Sequence, residues 1–307
     1  LGAGTTAVIE VAAASGIVLA PPKQRNPLHT TSRGTGELMR AALDAGCERI
    51  IVGLGGSATN DGGAGLAQAL GARLLDEAGD DLPPGGAALA RLAHVDVGGL
   101  DRRLAGVEVI AATDVTNPLL GPTGASAVFG PQKGASPDDV QLLEAALTRY
   151  ADILAQQVGR GDVRDAPGAG AAGGIGAGML AFCGATLRSG ADVVLEAVGL
   201  EELVRKADLV ITGEGKLDGQ TAYGKAPLAV ARVAKRYDKP VIVVAGMLGA
   251  GVEKLYDMGI DAAVSIAPGP IHIQASRKHA PRLLRETGAR IARLLQIGAS
   301  MSGEGQL

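Results

Sequence analysis

Short apolar runs alternate with segments of helical period along the chain, the pattern of an α/β protein built on parallel strands. "TAVIEVAAA" (5–13) reads as a strand passing into small-residue packing. "GTGELMRAALDAG" (34–46) predicts a helix capped by Thr35, with Leu38, Ala41 and Leu43 inward and Gly46 ending it. "RIIVGL" (49–54) is a buried strand, followed by a polar, glycine-rich loop and a helix over 64–75. After the turn "DLPPGG" comes the strand "VEVIAAT" (107–113), which ends at Asp114. The clearest helix covers 136–159: Ser136 caps it, Pro137 takes its first position, acids follow, and apolar residues stand at 140, 143, 147 and 154. "PGAGAAGGIGAGMLAFCGA" (167–185) reads as a loop entering a closely packed helix. The last third predicts strand 207–212, a polar loop, a helix from Pro227, strand 240–246, helix 250–258, strand 262–267 and a final helix 275–296.

In open parallel sheets ligands bind beyond the carboxyl ends of the strands, so the loops after strands are the ones to compare. "GLGGSATNDGGAG" (53–65) offers bare glycine amides beside Ser57, Thr59, Asn60 and Asp61, groups suited to phosphate oxygens, a polyol or Mg²⁺. Gly53 to Ala58 also fits the G-x-G-x-x-A dinucleotide fingerprint, which keeps an NAD-dependent oxidoreductase open as a rival. "TGEGKLDGQTAYGKAP" (212–227) holds Gly213, Glu214, Gly215, Lys216, Asp218, Gly219 and Lys225, a set suited to phosphate and metal. Its stretch from Gly219 to Lys225 imitates a P-loop, but Ala226 stands where the magnesium-binding Ser or Thr belongs. In "ATDVTNPLLGPTGASAVFGPQKGA" (112–135), Asp114 and Asn117 sit just past a strand and Lys133 lies in a Gly/Pro loop. The four histidines share no spacing with one another or with an acid.

Composition narrows the partners. Aromatics are 2% of the 307 residues, so the core must be aliphatic, and 47 glycines are about twice the ordinary share. A net charge of −3 with no basic block disfavours nucleic acid or a membrane surface. Cys47 and Cys183 have no metal spacing and fit a reducing cytoplasm. No apolar stretch reaches the ~18 residues of a membrane span.

Together these phrases, with "VIEVAAASGI", "RNPLHTTSRGTGEL", "GAGAAGGIGAGMLAF" and "VLEAVGL", resemble the bacterial type-1 glycerate kinase family across essentially the whole chain. The resemblance implies phosphorylation of D-glycerate by MgATP to 2-phosphoglycerate or 3-phosphoglycerate, in glyoxylate, aldarate or photorespiratory metabolism. It implies two α/β domains with mainly parallel sheets, one inserted into the other, and an active site in the cleft. Residues 1–200 would form the inserted domain. Residues 201–307 would be the C-terminal part of a Rossmann- or flavodoxin-like domain. Members of the family begin with "APDSFKGS" and a "DGGEGT" loop, so the chain is expected to lack about the first fifth of the enzyme.

Under that resemblance ATP would lie against Gly55, Gly56, Gly213, Gly215 and Gly219, with Lys216 and Lys225 countering its charge. Mg²⁺ would be held among Asp61, Asp114, Glu214 and Asp218. Ser57, Thr59, Asn60 and Asn117 would meet the glycerate hydroxyls and Arg33 its carboxylate. Asp114 is favoured over Asp61 as the base. A homodimer is the candidate assembly, and a non-catalytic sugar-acid sensor on the same fold is a second rival.

Overall fold

The computed structural model describes residues 5–219 and 226–301, and the chain divides into two compact units, Leu1–Gly190 and Ala191–Leu307. Unit 1 runs β1 (Thr6–Glu10), α1 (Val11–Ser15), α2 (Arg33–Asp44), β2 (Arg49–Gly53), α3 (Ala64–Ala69), β3 (Arg73–Leu75), β4 (His94–Asp96), β5 (Glu108–Ala112), α4 (Ala125–Phe129), α5 (Pro137–Gln157), α6 (Ala171–Gly178) and β6 (Thr186–Arg188). Strands β1, β2, β5 and β6 form one parallel sheet in that order, while β3 and β4 pair antiparallel apart from it. Register aligns Glu10, Gly53, Ala112 and Arg188 in a row at the carboxyl edge. The row before it, Ile9, Val52, Ala111 and Leu187, turns to the opposite face and enters the core.

Helix α5 forms as its sequence predicts. Ser136 and Asp139 make a reciprocal capping box, and Leu143, Leu147, Tyr150 and Leu154 bury one stripe. Helix α2 differs in detail. Ser32 is its N-cap, Thr35 lies buried inside the first turn, and the inward face is Thr35, Gly36, Met39, Ala42 and Leu43. Leu38 and Ala41 are exposed. Gly36 explains the rotation: a Cβ there would come 2.5 Å from the Leu66 carbonyl oxygen, so the helix rests its glycine on the α3 backbone. The predicted helix 64–75 stops at Ala69, because Gly71 takes φ +102° and turns the chain into β3.

Glycine carries the packing that aromatics carry elsewhere. Segment 172–174 at the start of α6 has left-handed φ at Ala172, Gly173 and Gly174, and presses its main chain onto the loop after β2. Gly62 N donates to the Gly173 carbonyl at 3.0 Å. A Cβ on Gly173 would lie 2.0 Å from the Thr59 oxygen, and one on Gly178 2.5 Å from the Gly62 oxygen.

Unit 2 contains α7 (Gly190–Ala197), α8 (Leu200–Lys206), β7 (Val210–Leu217), α9 (Ala226–Lys235), β8 (Val241–Leu248), β9 (Ala262–Ser265) and α10 (Ile273–Met301). Its sheet is parallel in the order β7-β8-β9, with Val210, Val241, Val243 and Ala245 packed with Leu228, Ala231 and Ala234. Strand β7 extends beyond the expected 207–212, because β8 pairs with it as far as Lys216↔Met247 and Leu217↔Leu248. The predicted helix 250–258 is a 3₁₀ segment, Val252–Met258. No described helix is long and apolar enough to cross a membrane.

The glycine contact yields a direct test. Gly173→Ala would place a methyl against the Thr59 carbonyl at a left-handed φ, and we expect a loss of about 3 kcal/mol or more in urea unfolding. A change below about 0.5 kcal/mol would show that the two segments do not touch as described.

Candidate functional site

At the carboxyl edge of the unit 1 sheet, Leu54 N still bonds to the Ala112 carbonyl at 2.9 Å before the chain turns outward through Gly55 and Gly56. This turn is clasped from one side: Ile17 N donates to the Gly56 oxygen and Ala58 N to the Ser15 oxygen, each at 2.8 Å. Gly56 needs its glycine for φ +70°. Gly55 does not, since its φ is ordinary and an added Cβ would meet nothing within 4 Å. On the neighbouring strand Asp114 follows β5, exposed, with Oδ1 accepting from Gly190 N at 2.9 Å and from Ser189 Oγ at 3.2 Å. The exposed turn and this carboxylate therefore stand at the ends of adjacent strands. Asn117 is committed locally, Nδ2 donating to the Thr123 carbonyl at 2.8 Å, and Arg33 pairs with Glu37 at 3.1 Å.

Beyond Gly56 the loop dives inward. Ser57 is 5% exposed and Asp61 0%, with Thr59 and Asn60 equally enclosed. Asp61 Oδ2 accepts from Ser32 N (2.8 Å), Ser32 Oγ (2.9 Å), Thr31 Oγ1 (3.3 Å) and Gly65 N (3.3 Å), and Oδ1 accepts from Gly63 N (3.2 Å). These donors, four on Oδ2 and one on Oδ1, solvate the carboxylate inside the protein. Asp61, expected as a base or Mg²⁺ ligand, is thus enclosed and ties α2 to the start of α3. Asn60 likewise serves the interior, Nδ2 donating to Ser126 Oγ at 3.0 Å. Thr59 Oγ1 and Asn60 Oδ1 are buried with no hydrogen-bond partner among the described residues.

Lys133, to which the sequence assigns no role, enters this interior as well. It is 2% exposed, and its ammonium donates to Ser57 Oγ at 2.9 Å and to the Thr59 carbonyl at 2.6 Å. Burial lowers its pKa to about 7, against a smaller opposing pull from the Asp61 carboxylate. The only sequence signal was a lone lysine between Pro131 and Gly134, without an acid beside it.

In unit 2, Gly213, Glu214, Gly215 and Lys216 belong to β7 and not to a loop. Beyond it Lys216 Nζ meets Asp218 Oδ2 at 2.7 Å, with the lysine exposed and the aspartate buried. The following turn is welded to the one after β8, Gly249 N to the Leu217 oxygen at 2.7 Å and Gly219 N to the Ala250 oxygen at 3.0 Å. Gly215, like Gly55, would take a Cβ without meeting any atom of the described residues within 4 Å. Lys225 lies outside the described residues. Among those described, no three His, Cys, Asp or Glu side chains gather into a metal-holding group. The fingerprint over Gly53–Ala58 also loses its context, since the chain runs on through buried residues and α3 starts only at Ala64.

The family model described as the glycerate kinase family matches residues 1–296. The chain is 52% identical to a glycerate kinase of Bacillus subtilis (strain 168) over 301 residues, 98% of this chain and 78% of that one. It is 48% identical to the glycerate 2-kinase of Escherichia coli (strain K12), covering 98% of this chain and 79% of that one. A crystal structure assigned as glycerate kinase 2 of Salmonella typhimurium LT2 superposes with a TM-score of 0.84 at 53% identity, over 96% of this chain and 77% of that one.

Burial of Lys133 makes a signed prediction. Its folded pKa, about 7, lies below the value of about 10.5 in an unfolded chain, so between them the unfolded state binds the extra proton. The stability contributed by this lysine is present above pH ~10.5 and is lost as pH falls toward ~7. In urea unfolding, the stability of the unaltered protein minus that of Lys133→Met should rise steadily from about pH 7 to about pH 10. A flat difference would mean that the lysine titrates as if solvated.

Proposed function

The chain belongs to the glycerate kinase family, and from that premise we propose that it transfers the γ-phosphoryl group of ATP to a hydroxyl of D-glycerate, giving 2-phosphoglycerate or 3-phosphoglycerate. A kinase of this family moves phosphate to an alcohol oxygen. Such chemistry asks the protein mainly for positioning and charge neutralisation. The observation that carries the assignment of roles is the exposed Gly55–Gly56 turn beside Asp114. There, main-chain amides and a carboxylate follow adjacent strands of a parallel sheet, and at Gly55 no contact among the described residues demands glycine.

The Gly55 and Gly56 amides suit oxyanions, carboxylate or phosphoryl. Asp114 suits the hydroxyl proton: Oδ1 is anchored by Gly190 and Ser189, and Oδ2 accepts no hydrogen bond among the described residues. At the rim of the unit 2 sheet, Lys216 and Asp218 suit a nucleotide phosphate and its metal, with Gly215 allowing close approach. The donor set fits Mg²⁺ brought by ATP, which needs one or two protein carboxylates and takes its remaining ligands from phosphate and water. In unit 2 the carboxylate that would hold it is Asp218, beside Lys216. Bound there, Mg²⁺ would neutralise charge on the phosphates. The isolated buried cysteines fit a reducing compartment, and we place the reaction in the cytoplasm.

Coupled ADP release should depend on D-glycerate, and ³¹P NMR of the product should identify the phosphorylated hydroxyl. No D-glycerate-dependent release would overturn the proposal. Gly55→Ala should keep the melting temperature and lose at least about tenfold in kcat/KM, because its methyl enters only the reactant's space. Asp114→Asn should lower kcat by about 10²-fold or more. Near-normal turnover of Asp114→Asn would remove Asp114 as the base.

A further inference from the structure

Ser57 follows directly on the exposed Gly56, and the ammonium of Lys133 reaches it from within at 2.9 Å. In its protonated form the lysine has three N–H donors and no lone pair, so Ser57 Oγ then accepts from it. The serine's own O–H must then point elsewhere, and it donates to no acceptor among the described residues. The second bond, from Lys133 to the Thr59 carbonyl at 2.6 Å, ties down the main chain on the far side of Ala58. One buried cation thus fixes both a side chain and a carbonyl of the short segment that leads out to the Gly55–Gly56 turn.

We infer that Lys133 is a positioning residue for the phosphoryl-transfer reaction: it turns the Ser57 hydroxyl into a hydrogen-bond donor for an anionic oxygen of the reactants and holds the neighbouring glycine amides in line with it. This rests on the kinase reading of the same rim. A donor one residue from two exposed amides makes a compact oxyanion-binding group, and preorganised donors of that kind act without rearranging during the reaction. The lysine does not touch the reactant; it acts through Ser57.

The test is a double-mutant cycle in the full chain with Lys133→Met, Ser57→Ala and the pair, read as kcat and KM for D-glycerate together with melting temperature. Each single variant should lower kcat/KM by about 10²-fold, and the pair should be no worse than the poorer single, because both remove one interaction. A purely structural lysine would lower the melting temperature and leave kcat/KM of the folded protein within threefold, which overturns the inference. So does a pair whose loss is the product of the two single losses. Should Lys133→Met fail to fold, Ser57→Ala decides alone, and near-normal kcat/KM there overturns it. If the unaltered chain releases no ADP, the kinase reading fails first, and D-glycerate binding by calorimetry replaces turnover in the same cycle. Binding weakened about tenfold or more by each variant, non-additively, keeps the positioning role. No binding by the unaltered chain overturns it as well.

Discussion

Two glycine-rich segments of unit 1, residues 59–65 and 168–178, meet main chain to main chain, and the path of the loop after β2 is set by that contact. With Gly62 N bonded to the Gly173 carbonyl, and no room for a Cβ on Gly173, Gly174 or Gly178, the polar residues threaded between them have nowhere to go but inward. A buried polar group left unbonded costs about 1–3 kcal/mol, more if charged, so the interior has to supply donors and acceptors. It does so through Ser32, Thr31 and the Gly63 and Gly65 amides for Asp61, Ser126 for Asn60, and Ser57 and the Thr59 carbonyl for Lys133. Each bond depends on a backbone position that the glycine contact has already fixed.

This arrangement leaves little of the loop for chemistry, and what it leaves is rigid. Only Gly55 and Gly56 emerge, clasped through Ser15 and Ile17 on one side and anchored through Ser57 on the other. For a reaction whose catalysis is mostly placement, amides held by such bonds would need little reorganisation as charge shifts between oxygens. The rim of unit 2 is built in the same way, by turns that hydrogen-bond to each other and a glycine that nothing in the protein crowds.

The fold was legible wherever local preference and tertiary demand agree. Helix α5 carries its cap, its proline and its apolar stripe in plain view, and the buried strands read from their β-branched runs. Reading failed where packing overrides local pattern. Gly71 cut a helix whose apolar period continued, and β8 drew the glycine- and charge-bearing "TGEGKL" into a strand that its own composition disfavours. For the site, position after a strand singles out the loops at the carboxyl edges of the two sheets. It could not tell their inner residues from their outer ones, since Ser, Thr, Asn and Asp serve a buried network as readily as a ligand. Gly55 and Asp61 look equally functional in the sequence, and only burial separates them.

The pairing of charges in unit 1 bears on why the lysine is there at all. Asp61 and Lys133 attract each other across the interior but share no hydrogen bond; each is solvated separately, the aspartate by hydroxyls and amides, the lysine by a serine and a carbonyl. A buried ion pair is seldom a net source of stability, and well-packed apolar residues in its place often do as well. For the aspartate, a structural reason is sufficient, because its donors belong to the first turn of α2 and the entry to α3. The lysine joins the segment Pro131–Lys133 to the loop after β2, and both its acceptors lie in the few residues behind the exposed glycines. Under the proposed function, an anion at that turn would meet the positive member of the pair through a single hydroxyl, while the carboxylate is enclosed by its own donors. Burial that weakens the lysine's hold on its proton is offset when such an anion binds, so ligand affinity and the charge of Lys133 are linked, each favouring the other.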